Sequence, residues 1–503
     1  MKYFVLLLLL PLAILAQGPG GGYSNNRVVG ADGIPGPTCL HCGGSKIDSY
    51  TGNSVISEHV NAKILVNNGA NISSKDGKLL FYSDGWTLMD ANGVIIPGGD
   101  TLSPTTYTLN EIAGGGYNFP QSTFIFQTDT DSSIYTILHT SLDNDAFLNG
   151  CLKLWQTKIK INEDSSFAIL EKNKVILEDT IVSMGVITGC KHANGRDWWI
   201  VVKKHNSILN HTFLFTPDST YHYTIPCVGI DYFNYGTMRV FSPRGNYYAV
   251  YGNSIGVKIF NFDRCTGNLT KIADINDPDA GLNNGLGLCF SPEEKYLYFC
   301  NFYHLFRIPL QSSLTNNDVE LVGTYNNFID STVGFTQAFW TIEPSNDGKI
   351  YLANIGSNRF YCTIDNPDSD NFGQIGFNYY NFQLPNYNNG TYTNHANYNL
   401  GPLSGSPCDT LTLGANEFAN FKIETTIFPN PNEGSFTFNY TPQAQSGMLY
   451  IYDISGHLIY SEYVAPWSTY KNIKLDYTIP NGMYALNIVF EKKRGMGKFV
   501  LKK

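Results

Sequence analysis

One pattern returns about every fifty residues through the body of the chain: a β-rich run, a tight polar turn, a second β-rich run and a short apolar strand. SSKDGKLLFYSDG turns at Asp76-Gly77, TDTDSSIYTILHT near Asp131, and KHANGRDWWIVVKK at Asn194-Gly195. FSPRGNYYAVYG turns at Gly245, FSPEEKYLYFCN at Glu294, and EPSNDGKIYLANIG at Asp347-Gly348. Ser242 to Ser291 spans 49 residues and Pro292 to Pro344 spans 52, a period suited to a four-stranded unit with variable loops. One such unit cannot bury both of its faces. Stacking the units radially and closing the ring buries them and removes open sheet edges. Residues 47–410 therefore predict a β-propeller of about seven blades, the seventh split between the two ends of that range. Two β-sandwiches are the competing arrangement, and they account less well for the recurring Ser-Pro, turn and Tyr/Leu-rich strand.

Composition agrees with an all-β chain. The 33 Tyr and 31 Phe, with only 15% charged residues, favour half-buried pleated surface over long amphipathic helices. A net charge of −9 argues against nucleic acid or anionic membrane as partner, because both select basic faces. Lys2, the apolar run Phe4 to Leu15 and the small Ala16 before Gln17 read as a signal peptide over residues 1–16. That run is too short to span a membrane, and no other run approaches the roughly 20 residues a spanning helix needs. Residues 17–46, with GPGGGYSNN and GADGIPGP, read as a Gly/Pro-rich flexible leader.

Ten cysteines in an exported chain predict up to five disulfides. Cys289 and Cys300 flank a predicted hairpin, CFSPEEKYLYFC, and form the candidate pair, with geometry left to decide. Cys39-Leu40-His41-Cys42 lacks the contexts that redox, zinc or haem chemistry requires, so a structural disulfide is the better reading.

No zinc-protease helix motif or phosphate-binding loop occurs, and the ten His have no metal-type spacing. No catalytic set, metal site or cofactor is expected. Asp368-Ser369-Asp370 followed by Gly373 alternates carboxylates as a calcium loop does, but without the distal bidentate Glu, and reads as turn chemistry. Most aromatic residues should pack between blades. The Asn/Tyr-rich stretch 386–400, with Tyr387, Tyr392 and Tyr398, looks hard to bury and is the candidate ligand loop.

The C-terminal residues carry a second set of signals. FPNPNEGSF places Pro429 and Pro431 around Asn430, with Gly434 three residues on. IYDISGHLIY turns from Asp453 to Gly456, IPNGMY turns at Asn481-Gly482 before Tyr484, and the chain stops on KFVLKK, which contains Lys498. In this order and spacing, residues 425–503 resemble the C-terminal sorting domain of the type IX secretion system, a small Ig-like β-sandwich, with 411–424 as linker. The resemblance implies export through the periplasm of a Gram-negative bacterium of the Bacteroidetes type, with the secretion machinery as partner and release or surface attachment as destination. The body, in SSKDGKLLFYSDGWTLMDANGVII, MRVFSPRGNYYAVYG, GLCFSPEEKYLYFCN and LGPLSGSPCDTL, is similar to WD-repeat-like propellers of exported Bacteroidetes proteins. That likeness implies fold and destination and hardly bears on activity. Two functions follow as expectations: a binding or scaffold protein for a glycan, matrix polymer or surface protein, or a hydrolase or lyase with convergent carboxylates at a channel mouth.

Overall fold

The computed structural model describes residues 26–29, 43–50, 52–59, 68–111, 120–128, 131–140, 151–181, 187–205, 207, 209–226, 237–252, 255–279, 287–311, 314–329, 338–356, 358–409, 423, 425–453, 457–490 and 494–503. Two compact units divide the chain, Met1–Asp409 and Thr410–Lys503. The expected signal peptide and most of the expected linker lie outside the described residues.

In the first unit, seven antiparallel sheets follow one another along the chain, and within each the strands are ordered as in sequence. Blade 1 holds Asn26–Val29, Gly44–Asp48 and Val55–His59, and blade 2 holds Ala70–Ser73, Leu79–Ser83 and Leu88–Asp90. Blades 3 to 7 have four strands each and begin with Thr123–Phe126, Ile187–Lys191, Thr237–Phe241, Gly287–Phe290 and Ala338–Pro344. Among the described residues blade 1 lies wholly at the N-terminal end, and no blade is split between the ends of the body. Its first strand and the start of its second fall within the stretch, 17–46, expected to be a flexible leader. Asn26–Val29 is buried throughout.

A turn repeats between first and second strands. The N–H of Ser74, His192, Ser242, Ser291 and Ser345 donates to the carbonyl of Lys78, Asp197, Tyr247, Tyr296 and Lys349 at 2.8–2.9 Å. The carbonyl of the same residue accepts from the residue three further on: Gly77, Gly195, Gly245, Glu294 and Gly348. All five of those residues have φ between 61° and 81°, the left-handed region where a Cβ is unfavourable. Glu294 is the exception to glycine, and its carboxylate accepts from Arg244 N and, at 2.9 Å, from Asn246 Nδ2 in the preceding blade's turn.

Apolar layers lie between consecutive blades. Phe81, Phe124, Phe126, Trp198 and Phe213 fill the space from blade 2 to blade 4; Trp199, Tyr248 and Phe260 join blades 4 and 5; Tyr251, Leu288 and Phe299 join 5 and 6; Tyr298, Phe339 and Ile350 join 6 and 7. Val29 and Ile47 of blade 1 then pack with Tyr351, Tyr361 and Leu384 of blade 7, and Val28 packs with Tyr82 and Met89 of blade 2. The sheets therefore form a closed seven-bladed ring. Arg27 and Glu343 bolt the closure: Arg27 Nε lies 3.1 Å from Glu343 Oε2, and Arg27 Nη1 donates to Ser345 Oγ at 3.0 Å.

The cysteine expectation is corrected. Cys289 and Cys300 are free and buried. Cys289 stands opposite Tyr298, and Cys300 opposite Gly287, so the two thiols share a face but are two positions out of register, too far apart diagonally to bond. Among the described residues Cys265 and Cys408 form a disulfide, while Cys39, Cys42 and Cys227 lie outside them.

The second unit is a sandwich of two sheets. One orders Thr425–Phe428, Ser435–Tyr440 and Tyr470–Lys474; the other orders Leu458–Val464, Gly447–Asp453, Gly482–Phe490 and Arg494–Leu501. Phe436, Phe438, Leu449, Ile451, Leu486, Ile488 and Phe499 fill the space between them. No helix among the described residues is long and apolar enough to cross a membrane.

Candidate functional site

The chain that follows the last propeller strand, Phe377–Asn388, runs through the centre of its own ring. Asn394 Nδ2 donates to Thr123 O at 2.8 Å and Ile187 O at 3.0 Å, and Asn394 N donates to Gly69 O at 2.9 Å. Thr393 N donates to Glu343 Oε1 at 2.8 Å, Asn397 Nδ2 to Pro243 O at 2.6 Å, and Tyr398 Oη to Ile125 O at 2.8 Å. These partners sit on or beside the first strands of blades 2, 3, 4, 5 and 7. Only a segment on the ring axis reaches all of them. The plug leaves past blade 4, where Leu403 N donates to Ala193 O at 2.8 Å, and ends at the Cys265–Cys408 disulfide.

The expected ligand loop is thus corrected. Tyr392 and Tyr398 are 6% and 4% exposed, and Tyr387 is half-buried. Inner strands present carbonyls that no further strand can pair, and the amides of this segment satisfy them. Its polar composition is a signature of burial on the axis.

Glu343 is the carboxylate most enclosed in this region. Burial pushes it up to about 7, against the pull of Arg27 and the Thr393 N–H. Both of its oxygens are engaged by those two groups. Among the described residues no group of three or more His, Cys, Asp or Glu could hold a metal ion. Asp368 of the expected turn accepts from Glu293 N in the neighbouring blade's turn at 3.0 Å, and Asn371 Oδ1 accepts from Gly373 N at 3.0 Å, so this loop is held by backbone amides.

On the face of the first turns, a cavity of ≈ 90 Å³ opens beside the plug. Arg27, Cys190, Lys191, Phe241, Phe290, Tyr392 and His395 line it. A polar groove of ≈ 1070 Å³ adjoins it, lined by Arg244, Glu293, Asp347, Asp365, Asn366, Asp368 and Gln374. Pro243 and Asn397 line both spaces. The sequence gives one local clue to the cavity, Lys191 directly before the turn of its blade; the cationic lining comes from residues distant in the chain. The opposite face is reached by the blade-to-blade connections, and residues 60–67, 112–119, 182–186, 227–236, 280–286 and 330–337 of these lie outside the described residues.

In the second unit, the residues singled out in sequence gather on the last strand. Asn430, between Pro429 and Pro431, accepts from Val500 N at 2.9 Å and donates to Lys498 O at 2.9 Å. Asn432 N donates to Val500 O at 2.9 Å, and Lys502 N returns a bond to Asn432 O at 2.8 Å. Gly434, at φ 104°, donates to Asn432 Oδ1 at 2.9 Å, and its carbonyl accepts from Leu475 N. Asn481 Oδ1, beside Gly482, accepts from Lys503 N at 2.9 Å. Tyr484 stacks on Phe499 with centroids 5.5 Å apart and stands opposite Asp453, whose carboxylate accepts from His457 N at 2.9 Å. Gly456 lies outside the described residues.

Residues 426–502 match the family described as the secretion system C-terminal sorting domain. No curated protein matches the chain. Among solved structures, the propeller is similar to a candidate 6-phosphogluconolactonase from Bacteroides fragilis, at 12% identity and a TM-score of 0.42, covering 73% of this chain and 96% of that one. A protein from Lactobacillus plantarum is similar at 11% identity and a TM-score of 0.37, covering 78% and 95%. A quinonprotein alcohol dehydrogenase-like protein from Bacteroides thetaiotaomicron is similar at 10% identity and a TM-score of 0.34, covering 75% and 76%. The sorting domain marks the protein for type IX export, to the cell surface or into the medium.

Proposed function

We propose that this is an exported binding protein, which presents the groove on the first-turn face of its propeller to an extracellular glycan or surface protein. One observation carries this reading: the chain fills its own channel, and Glu343 beneath the plug is consumed by Arg27 and Thr393. A hydrolase would need an accessible carboxylate with its partner group free to meet substrate, whereas in the groove Asp347 accepts from Tyr351 Oη and Ser54 Oγ, Asp365 pairs with Lys349, and Asp368 accepts from Glu293 N. The groove instead offers amides, carboxylates and a guanidinium at a rigid surface, a lining that recognises polar ligands.

The test uses the full mature chain, produced in an oxidising compartment, against panels of glycans and surface proteins. Saturable binding without product release is expected, and Arg244→Ala with Gln374→Ala should weaken it at least tenfold. Both residues are exposed, so stability should stay within about 0.5 kcal/mol. Release of a cleaved product, or no binding to either panel, would overturn the proposal.

A further inference from the structure

Two cations beside the cavity have no ion-pair partner among the described residues. Lys191 ends the strand Ile187–Lys191, and its Nζ lies 5.7 Å from the Trp198 ring centroid. Arg264 is 4% exposed and gives its guanidinium to the carbonyls of Lys191 at 2.9 Å, His192 at 3.1 Å and Gly401 at 2.6 Å. Among the described residues neither has a carboxylate within ion-pair distance. Three buried cations of the propeller do: Arg27 meets Glu343, Arg307 meets Glu320, and Lys258 meets Asp274.

Among the described residues no nearby side chain forms an ion pair with either cation. Cys190 is held neutral, its thiol pushed up to about 12 by burial. Burial holds His395 down to about 3, and its buried Nε2 has no hydrogen-bond partner. Glu294 spends its carboxylate on the neighbouring turn. Like charges enclosed without a counter-ion cost free energy. Burial, aided by Arg264, correspondingly pulls Lys191 down to about 8.

We propose that the cavity is an anion site, which takes one carboxylate or sulfate group carried at the end of an otherwise neutral saccharide whose body lies in the adjoining groove. This rests on the binding role proposed above. At ≈ 90 Å³ the cavity admits such a group with a water or two and excludes a sugar ring. Glu293, Asp347, Asp365 and Asp368 along the groove repel a polyanion and accept from hydroxyls. The groove's apolar side chains are its prolines, which suits a hydroxyl-rich body better than peptide side chains.

Calorimetry on the full mature chain at pH 7 tests the site with sialyl-lactose, lactose, inorganic sulfate and polygalacturonate as probes. Sialyl-lactose should bind one to one, with lactose and polygalacturonate at least tenfold weaker and sulfate competing. Lys191→Met should weaken sialyl-lactose at least tenfold, Lys191→Arg should restore most of the loss, and both should unfold cooperatively as the parent does. Equal binding of sialyl-lactose and lactose, or binding unchanged in Lys191→Met, would overturn the site and leave the binding role standing. Sulfate bound through Lys191 with no saccharide would overturn the saccharide assignment, and no binding of any probe would overturn the site.

Discussion

Asparagine does the work of a missing strand at both ends of this protein. Its amide carries two N–H donors and an acceptor oxygen at nearly the spacing of a peptide group, so it can pair with a strand edge where no strand runs. Asn430 does this at the last strand of the sorting domain, bridging Lys498 O and Val500 N at 2.9 Å each. Asn394 does it on the propeller axis, where Thr123 O and Ile187 O converge. Asn430→Ala removes two bonds at an exposed edge, each worth about 1 kcal/mol or less. The sorting domain should lose about 1–2 kcal/mol, and the last strand should exchange its amide hydrogens faster. If the secretion machinery reads this edge, the variant should accumulate in the periplasm and be depleted from the medium. Cell fractionation with an antibody against the propeller checks this, and unchanged export with a weakened domain would show that the edge serves stability alone.

At the scale of elements, the plug and its disulfide act as one device. Thr391, Tyr392, Thr393 and Asn394 are buried on the axis, and the Cys265–Cys408 bond fixes the segment at the last described residues of its unit. A cross-link spanning 143 residues restricts the unfolded chain, for which about 2–4 kcal/mol is typical. Cys408→Ser should therefore lower stability by that order and open residues 389–409 to limited proteolysis before the blades unfold. Thermal unfolding followed by mapping of the cut sites checks both. Turns and plug were unequally legible in sequence for a physical reason. Asp76-Gly77, Asn194-Gly195 and Asp347-Gly348 announce themselves because turn chemistry is local, and the left-handed φ that each glycine adopts is a property of those few residues. The fate of NYNNGTYTNHANYN depends on carbonyls from strands hundreds of residues away, so its polarity reads as surface until the ring is closed around it. Cys289 and Cys300 fail for a related reason: their spacing fits a hairpin, but the turn at Glu294 sets the register two positions off. Lys191 and Arg264 come from adjacent blades, and nothing in either segment signals the other.

For the molecule as a whole, stability rests on joining blade 7 to blade 1, because a ring open at one seam exposes two apolar sheet faces. Val29 and Ile47 against Tyr351 and Leu384 supply the apolar part of that seam, and Arg27 with Glu343 supplies the polar part. Two effects compete at Glu343: burial raises its carboxyl and Arg27 lowers it, and burial wins, leaving it at about 7. A carboxyl raised in the folded state holds a proton that the unfolded chain releases. Its contribution is complete below the ordinary Glu value near 4.5 and is lost as pH rises to about 7. The gap corresponds to roughly 3 kcal/mol at most. Glu343→Gln keeps the shape of the protonated side chain and cannot titrate. It should match the parent near pH 4.5 and gain on it steadily up to pH 7.5, as read by denaturant unfolding at each pH. A variant less stable than the parent at every pH would mean that the Arg27 charge governs the seam and that Glu343 is ionised throughout. The two outcomes differ in sign at neutral pH, so one pair of unfolding curves decides whether the ring is closed by an ion pair or by a buried acid.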